Sequence, residues 1–309
     1  SVLIDLTKEI KVIRPEGVAA FPYSNSFFID DDIRLMVDAG SGGRAYTPIN
    51  PSSVDILLIT HNHFDHINGI SFFNNAKVFA SEEEAPGYSI PEAYYAWAGH
   101  EHWEKLMGRA KIERISEDTV MPDDIPVKPG FNKVELAGLL RDNEVFDLGK
   151  NKLHALHTPG HSHGHYAFFA EREGILFSGD IDIAPGGPWY GGGFSNFDDF
   201  VNSVNRLIEL KPRILVTSHR RVFDGKTENI TKLLKDYIGI SLEKESRIYD
   251  YLIKPHNIHE ITEGVFTTNY PKKTAYIIFW AKMMVKQHLE RLLRDNKIIQ
   301  LDDDYYVQA

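Results

Sequence analysis

No cysteine occurs among the 309 residues. That excludes disulfides, thiolate nucleophiles and sulfur-rich zinc sites, and it fits a cytoplasmic location. No apolar stretch approaches the ~20 residues of a membrane span, and the start Ser1-Val2-Leu3-Ile4-Asp5 lacks the basic region and apolar core of a secretory leader. Positive charge is also short: 34 Lys and Arg face 44 Asp and Glu, for a formal net charge of −10. This argues against a general nucleic-acid coat, although a local basic patch stays open. Gly191-Gly192-Gly193 has neither GxGxxG spacing nor a following lysine, so it is not a dinucleotide or phosphate loop. The remainder, 42% hydrophobic and 25% charged, is ordinary globular composition, enough for one large domain and a small one.

What the chain has in concentration is histidine beside carboxylate. Thr60-His61-Asn62-His63-Phe64-Asp65-His66 sets three imidazoles and an acid in the pattern HxHxDH. It follows the short, β-branched, apolar run Val54 to Ile59, which reads as a buried strand. The cluster therefore sits where a strand ends and a helix begins. His61 and His63 alternate along extended chain and can point one way, while Asp65 and His66 turn back towards a second position. Nitrogen and carboxylate ligands suit zinc, iron or manganese.

Three later segments supply what the cluster lacks. Thr158-Pro159-Gly160-His161-Ser162-His163-Gly164-His165 follows the strand-like Lys152 to His157. Ile175-Leu176-Phe177-Ser178-Gly179-Asp180 ends a second apolar run on an acid, and Arg213 to Thr217 runs into Ser218-His219. In this order the chain resembles the metallo-β-lactamase superfamily from about Val2 to Lys235, with nothing recognised around Ser81 to Val145. The resemblance implies that His61, His63 and His161 hold one metal, that Asp65, His66 and His219 hold another, and that Asp180 bridges them. It also implies a bridging hydroxide whose pKa two cations about 3.5 Å apart can lower towards neutrality. His165 is expected as a hydrogen-bond donor that orients a ligand. His154, His157 and His163 are expected to be structural, as are His256, His259 and His288. Asp38, in Val37-Asp38-Ala39-Gly40, resembles a buried family aspartate with a supporting role.

Two features choose among branches. The absence of cysteine, which many β-lactamases carry where Asp180 stands, points to the glyoxalase II, lactonase and nuclease branches. His63 stands where flavodiiron members carry glutamate, and Ile183 stands where lactonases carry tyrosine. Gly160-His161-Ser162-His163-Gly164 matches GxSxG, but Tyr166 to Ala170 reads as a strand and not as the helix that a nucleophile elbow requires.

The implied architecture is an α/β, αββα sandwich over residues 1–240, followed by a small helical, winged-helix-like domain over 241–309. Ile10 to Ala39 reads as a β-meander. Asn196 to Leu210 reads as a helix with Phe197, Phe200, Val201, Val204, Leu207 and Ile208 on one face, stopped by Lys211-Pro212. Ile248–Ile253, Ile258–Thr262 and Ala281–Arg294 read as helices, and Lys297–Val307 as a hairpin. Lys282, Lys286, Arg291 and Arg294 give the last helix a basic side. The aromatic stretch Pro86 to Lys111 reads as an insertion beside the metals. The loop Pro185 to Gly193 is expected on the site rim, too glycine-rich to be stiff, with Trp189 and Tyr190 meeting substrate.

The expected protein is a hydrolase of a small ester or thioester. It would use two divalent metal ions, zinc first with iron or manganese as alternatives, with Asp65 and Asp180 as catalytic residues. A homodimer is the commonest assembly for such an enzyme. The alternatives are an RNA phosphodiesterase gripping nucleic acid through the C-terminal unit, and a mononuclear iron persulfide dioxygenase.

Overall fold

The computed structural model describes residues 2–111 and 120–309. Ser1 and 112–119, the latter inside the stretch that resembles nothing recognised, lie outside the described residues. Seven strands form one sheet in sequential order: β1 (Leu3–Asp5), β2 (Ile10–Ile13), β3 (Ser26–Ile29), β4 (Leu35–Val37), β5 (Ile56–Leu58), β6 (Lys77–Ser81) and β7 (Gly138–Leu140). β1 to β4 are antiparallel, β2 to β4 making the meander expected over Ile10 to Ala39, and β4 to β7 run parallel. The second sheet contains β8 (Val145–Asp147), β9 (Lys152–His157), β10 (Tyr166–Ala170), β11 (Ile175–Phe177), β12 (Ile214–Val216) and β13 (Phe223–Asp224). Its only parallel pair among the described residues is β11 with β12.

Eight α-helices are described: α1 (Gly43–Tyr46), α2 (Phe64–Ile67), α3 (Pro91–Tyr95), α4 (Trp103–Met107), α5 (Phe197–Glu209), α6 (Ile230–Tyr251), α7 (Ile258–Ile261) and α8 (Ala275–Arg294). The strands β3, β4, β10, β11 and β12 are buried at every position, because both faces of each sheet are covered and alternation has no use. Between the sheets Phe27 of β3 stacks on Phe177 of β11 at 5.6 Å, within a core that includes Val12, Leu35, Leu153 and Phe168. The outer face of the second sheet packs under α5, α6 and α8 in one continuous cluster. This is the expected α/β sandwich.

α5 follows its apolar spacing, with Phe197, Phe200, Val204 and Leu207 buried. The Asn196 side chain caps it by accepting from Asp199 N at 2.9 Å, and Lys211, at φ 48°, ends the turn before Pro212. α6 is longer than its sequence pattern suggests: it runs unbroken through position 240, with Ile230, Leu234, Ile238, Ser241 and Ile248 buried. A glycine, a buried serine and several β-branched residues hide its helical period. β14 (His256–Asn257), β15 (Ile298–Gln300) and β16 (Tyr305–Gln308) form a third sheet, with β15 and β16 as an antiparallel hairpin.

The basic side of α8 is spent within the chain. Lys282 is buried and donates to Leu106 O at 2.8 Å. Lys286 pairs with Glu290 at 2.6 Å, Arg291 with Glu245 at 2.7 Å and with Asp198, and Arg294 with Asp198 at 2.7 Å. Among the described residues no helix is long and apolar enough to cross a membrane.

Candidate metal centre

The loops that leave the C-terminal ends of β5, β9, β11 and β12 carry seven side chains to one place. His61, His63, His161 and Asp180 bring one ligating atom each within 4.8 Å of one another, and so do Asp65, His66 and His219. Asp180 reaches both groups with different oxygens. Its Oδ2 lies 3.4 Å from His61 Nε2 and 3.1 Å from His161 Nε2, while Oδ1 lies 3.2 Å from His66 Nε2 and 3.3 Å from His219 Nε2. Asp65 Oδ2 is 3.3 Å from His219 Nε2, and His63 Nδ1 is 3.1 Å from His161 Nε2.

These separations fit metal ions. Bonds of about 2.0–2.1 Å in tetrahedral arrangement set ligand atoms roughly 3.4 Å apart. A second test is the state of the inward atoms: His61 Nε2, His66 Nε2 and Asp180 Oδ1 are buried without a hydrogen-bond partner, a cost that a cation removes. The outward nitrogens of four rings are engaged. His66 Nδ1 donates to Asp38 Oδ2 at 2.7 Å, His161 Nδ1 to Trp189 O at 3.0 Å and His219 Nδ1 to Ala19 O at 3.0 Å. His61 Nδ1 lies 3.0 Å from Thr60 Oγ1. Each of these four rings is thus held with Nε2 facing the cluster, whereas His63 offers Nδ1.

Supporting residues lock the loops. Asp38 accepts from Thr60 N at 2.8 Å and from Thr60 Oγ1 at 2.7 Å, as well as from His66. His165 departs from expectation in one respect: its Nε2 accepts from Asp180 N at 3.1 Å, so it positions the acid through its backbone and acts there as acceptor. Sequence reading misses Glu84 and Asp182. Glu84 accepts from Asn62 N at 2.9 Å and Ser162 Oγ at 2.6 Å, clamping two metal loops together; in the run Glu82-Glu83-Glu84 nothing marks it. Asp182 accepts from His219 N at 2.9 Å. Ser162 precedes strand β10 and spends its hydroxyl on Glu84, as its rejection as a nucleophile requires.

The electrostatics divide the cluster in two. Burial, then the neighbouring imidazole His66, holds His61 well below its ordinary pKa, and burial with His161 brings His63 down to about 3. Burial would also depress His66 and His219, but the carboxylates of Asp180 and Asp65 outweigh it, holding His66 well above and raising His219 to about 12. Burial opposes ionisation of Asp65 and Asp180, yet the imidazoles prevail and both carboxyls sit below their usual range. Burial pushes Glu84 up to about 7.

Two indoles flank His63: Trp97 at 4.7 Å and Trp189 at 5.7 Å between ring centroids. Trp97 comes from the aromatic insertion, whose other members Tyr88, Tyr94 and Trp103 pack into cores. Tyr190 is elsewhere than expected. It is fully buried, with its hydroxyl 2.5 Å from His288 Nε2, so its ring cannot meet substrate at the rim. The glycine loop is also not slack. Gly193 N donates to Trp97 O at 2.6 Å, Gln287 Nε2 donates to Tyr190 O at 2.7 Å, and a Cβ at Gly193 would stand 2.7 Å from Ala96 O. These glycines permit close approach of backbones.

Comparison with known proteins gives the family and the fold. The family model described as "Metallo-beta-lactamase superfamily" matches residues 20–219. The chain is 23% identical over 259 residues to a beta-lactamase-like protein 2 homolog of Drosophila melanogaster, covering 83% of this chain and 75% of that one. It is 28% identical over 235 residues to the acyl-coenzyme A thioesterase MBLAC2 of Gallus gallus, covering 66% and 74%. A hydroxyacylglutathione hydrolase of Maricaulis maris is 29% identical over 115 residues, 36% of this chain and 41% of that one. Among solved structures, a metallo-beta-lactamase family protein from Thermus thermophilus superposes with a TM-score of 0.75 at 21% identity, over 99% of this chain and 100% of that one.

Proposed function

Because the chain belongs to the metallo-beta-lactamase superfamily, we propose that it is a binuclear metal-dependent hydrolase of a small ester or thioester. The observation that carries this reading is the split of Asp180, with Oδ2 towards His61 and His161 and Oδ1 towards His66 and His219. His61, His63 and His161 would hold one ion, Asp65, His66 and His219 the other, and Asp180 both. Zinc suits these ligands first, with iron or manganese as alternatives. The ions would supply a water nucleophile at neutral pH and polarise the scissile carbonyl. The names of the thioesterase and hydroxyacylglutathione hydrolase relatives support a thioester.

The chain's own groups do the rest. Asp65, held ionised by His66 and His219, orients the attacking water and takes up its hydrogen bond. Trp97 and Trp189 present apolar faces beside His63, against which an acyl group can lie and exclude bulk water. Asp38 and His165 keep His66 and Asp180 aimed. A cytoplasmic location and a dimer belong to the same proposal.

The test is metal analysis of the purified protein beside Asp180→Ala, with a panel of thioesters, lactones and phosphodiesters. About two zinc per chain with thioester turnover, both lost in the variant, is the expected result. Full turnover by a metal-loaded Asp180→Ala protein sinks the assignment. A single iron with oxygen uptake moves it to oxygen chemistry.

A further inference from the structure

Beyond Trp189 lies a cavity of about 590 Å3 lined by none of the seven metal-site residues. Its size falls within the roughly 300–1,000 Å3 of small-molecule sites. Its walls are apolar, with Trp189, Ile240, Phe266 and Met284 among them. No Asp or Glu lines it, but Lys244, Arg247 and Lys272 do.

These cations are unmatched. Lys244 Nζ lies over the rings of Phe266 at 4.6 Å and Tyr270 at 5.7 Å, and its hydrogen bond to Gly186 O is 3.4 Å long. Neither it nor Arg247 nor Lys272 forms an ion pair among the described residues. Burial, then the nearby Arg247, lowers the Lys244 pKa, so an entering anion would relieve both. Among the described residues exposed cations elsewhere are of both kinds, Arg221, Lys232 and Lys286 meeting acids and Lys8, Lys77 and Lys105 not, so what sets these three apart is the apolar cavity that they share. In a chain of net charge −10, three unmatched cations on one apolar cavity mark a place where the opposite charge comes from outside.

We propose that this cavity binds an anionic amphiphile, a carboxylate or phosphate on an apolar body, with the head at Lys244, Arg247 and Lys272 and the body along Ile240, Phe266 and Met284. Burial of the body drives entry, and the cations select the charged head. Such an anion can be the non-reacting arm of the enzyme's substrate or a separate acid. In either case Trp189 links it to the metal centre, since Trp189 lines the cavity and its carbonyl holds His161 Nδ1 at 3.0 Å.

The test is calorimetric titration of decyl phosphate into the metal-loaded protein, beside decanol and inorganic phosphate. Decyl phosphate should bind at least about tenfold tighter than either. Lys244→Gln/Arg247→Gln should weaken it by about tenfold or more, the scale of losing charged hydrogen bonds. Ile240→Trp, which fills the cavity and leaves every cation in place, should also abolish binding. Equal affinity for decanol, or unchanged affinity in both variants, overturns the proposal. Inhibition of turnover then identifies the source: a raised KM at constant kcat assigns the cavity to the substrate's arm, and a changed kcat at constant KM to a separate acid.

Discussion

The Tyr190 hydroxyl and His288 Nε2 stand 2.5 Å apart, and this pair joins the loop that holds His161 to the last helix. His288 Nδ1 continues to Glu245 at 2.7 Å, and Glu245 to Arg291 at 2.7 Å. Next to His288, Gln287 accepts from Phe197 N at 2.6 Å and donates to the carbonyls of Tyr190 and Ser195. Two consecutive residues of α8 therefore hold the backbone that presents Trp189 O to His161.

Gln287→Ala and His288→Ala should each weaken metal binding about 10-fold, as loss of a ligand's outer support does, and cost about 1–3 kcal/mol of stability through the unsatisfied buried groups left behind. Chelator competition and urea unfolding measure the two effects. Unchanged metal affinity with reduced stability would show that the loop's position does not depend on α8.

Zinc binding to metal-free protein should release protons at pH 7. The folded pKa of His219 is raised to about 12 and that of His66 well above its ordinary value, so both are protonated there and must give up protons to coordinate. In the metal-free fold, the stabilisation from these raised values is fully present below the unfolded imidazole pKa of about 6.5 and is lost as pH rises through the folded values. Metal affinity accordingly increases with pH. Calorimetry in buffers of different ionisation enthalpy counts the protons, and a count of zero contradicts the assignment.

Ser162→Ala should retain most hydrolytic activity. Its hydroxyl serves Glu84, so its removal loosens a clamp by about 1 kcal/mol without touching the chemistry. A fall on the order of 10⁶-fold, typical of a lost serine nucleophile, would restore the nucleophile-elbow reading.

Acid should weaken the attachment of the aromatic insertion. Burial, then Lys111, lowers His100 to about 4, and His100 sits 6.3 Å from the Tyr276 ring on α8. A depressed histidine contributes stability that is present above its unfolded pKa and lost as pH falls through the folded value, here from about 6.5 down to about 4. Unfolding free energies measured across that window should slope less in His100→Gln than in wild type.

The meeting of these histidines and aspartates is legible in the sequence because each of four short segments follows the end of an apolar strand, and their order carries the pattern. Tyr190 is misplaced by sequence reasoning because loop membership says nothing about which way a side chain turns. Glu84, Asp182 and Gln287 escape it because each works through backbone atoms of a distant segment, a relation without sequence spacing. α6 reads short because Gly239 and Ser241 interrupt its apolar stripe, although tertiary packing overrides their low propensity.

The attachment of the Trp189 loop to α8 also orders events in time. A ribosome delivers all seven metal-site residues by His219, some 68 positions before Gln287. Until α8 emerges and docks, the Trp189 loop lacks the hydrogen bond from Gln287 and the Tyr190–His288 contact. The geometry of a candidate site whose last residue is His219 therefore depends on a helix synthesised after it.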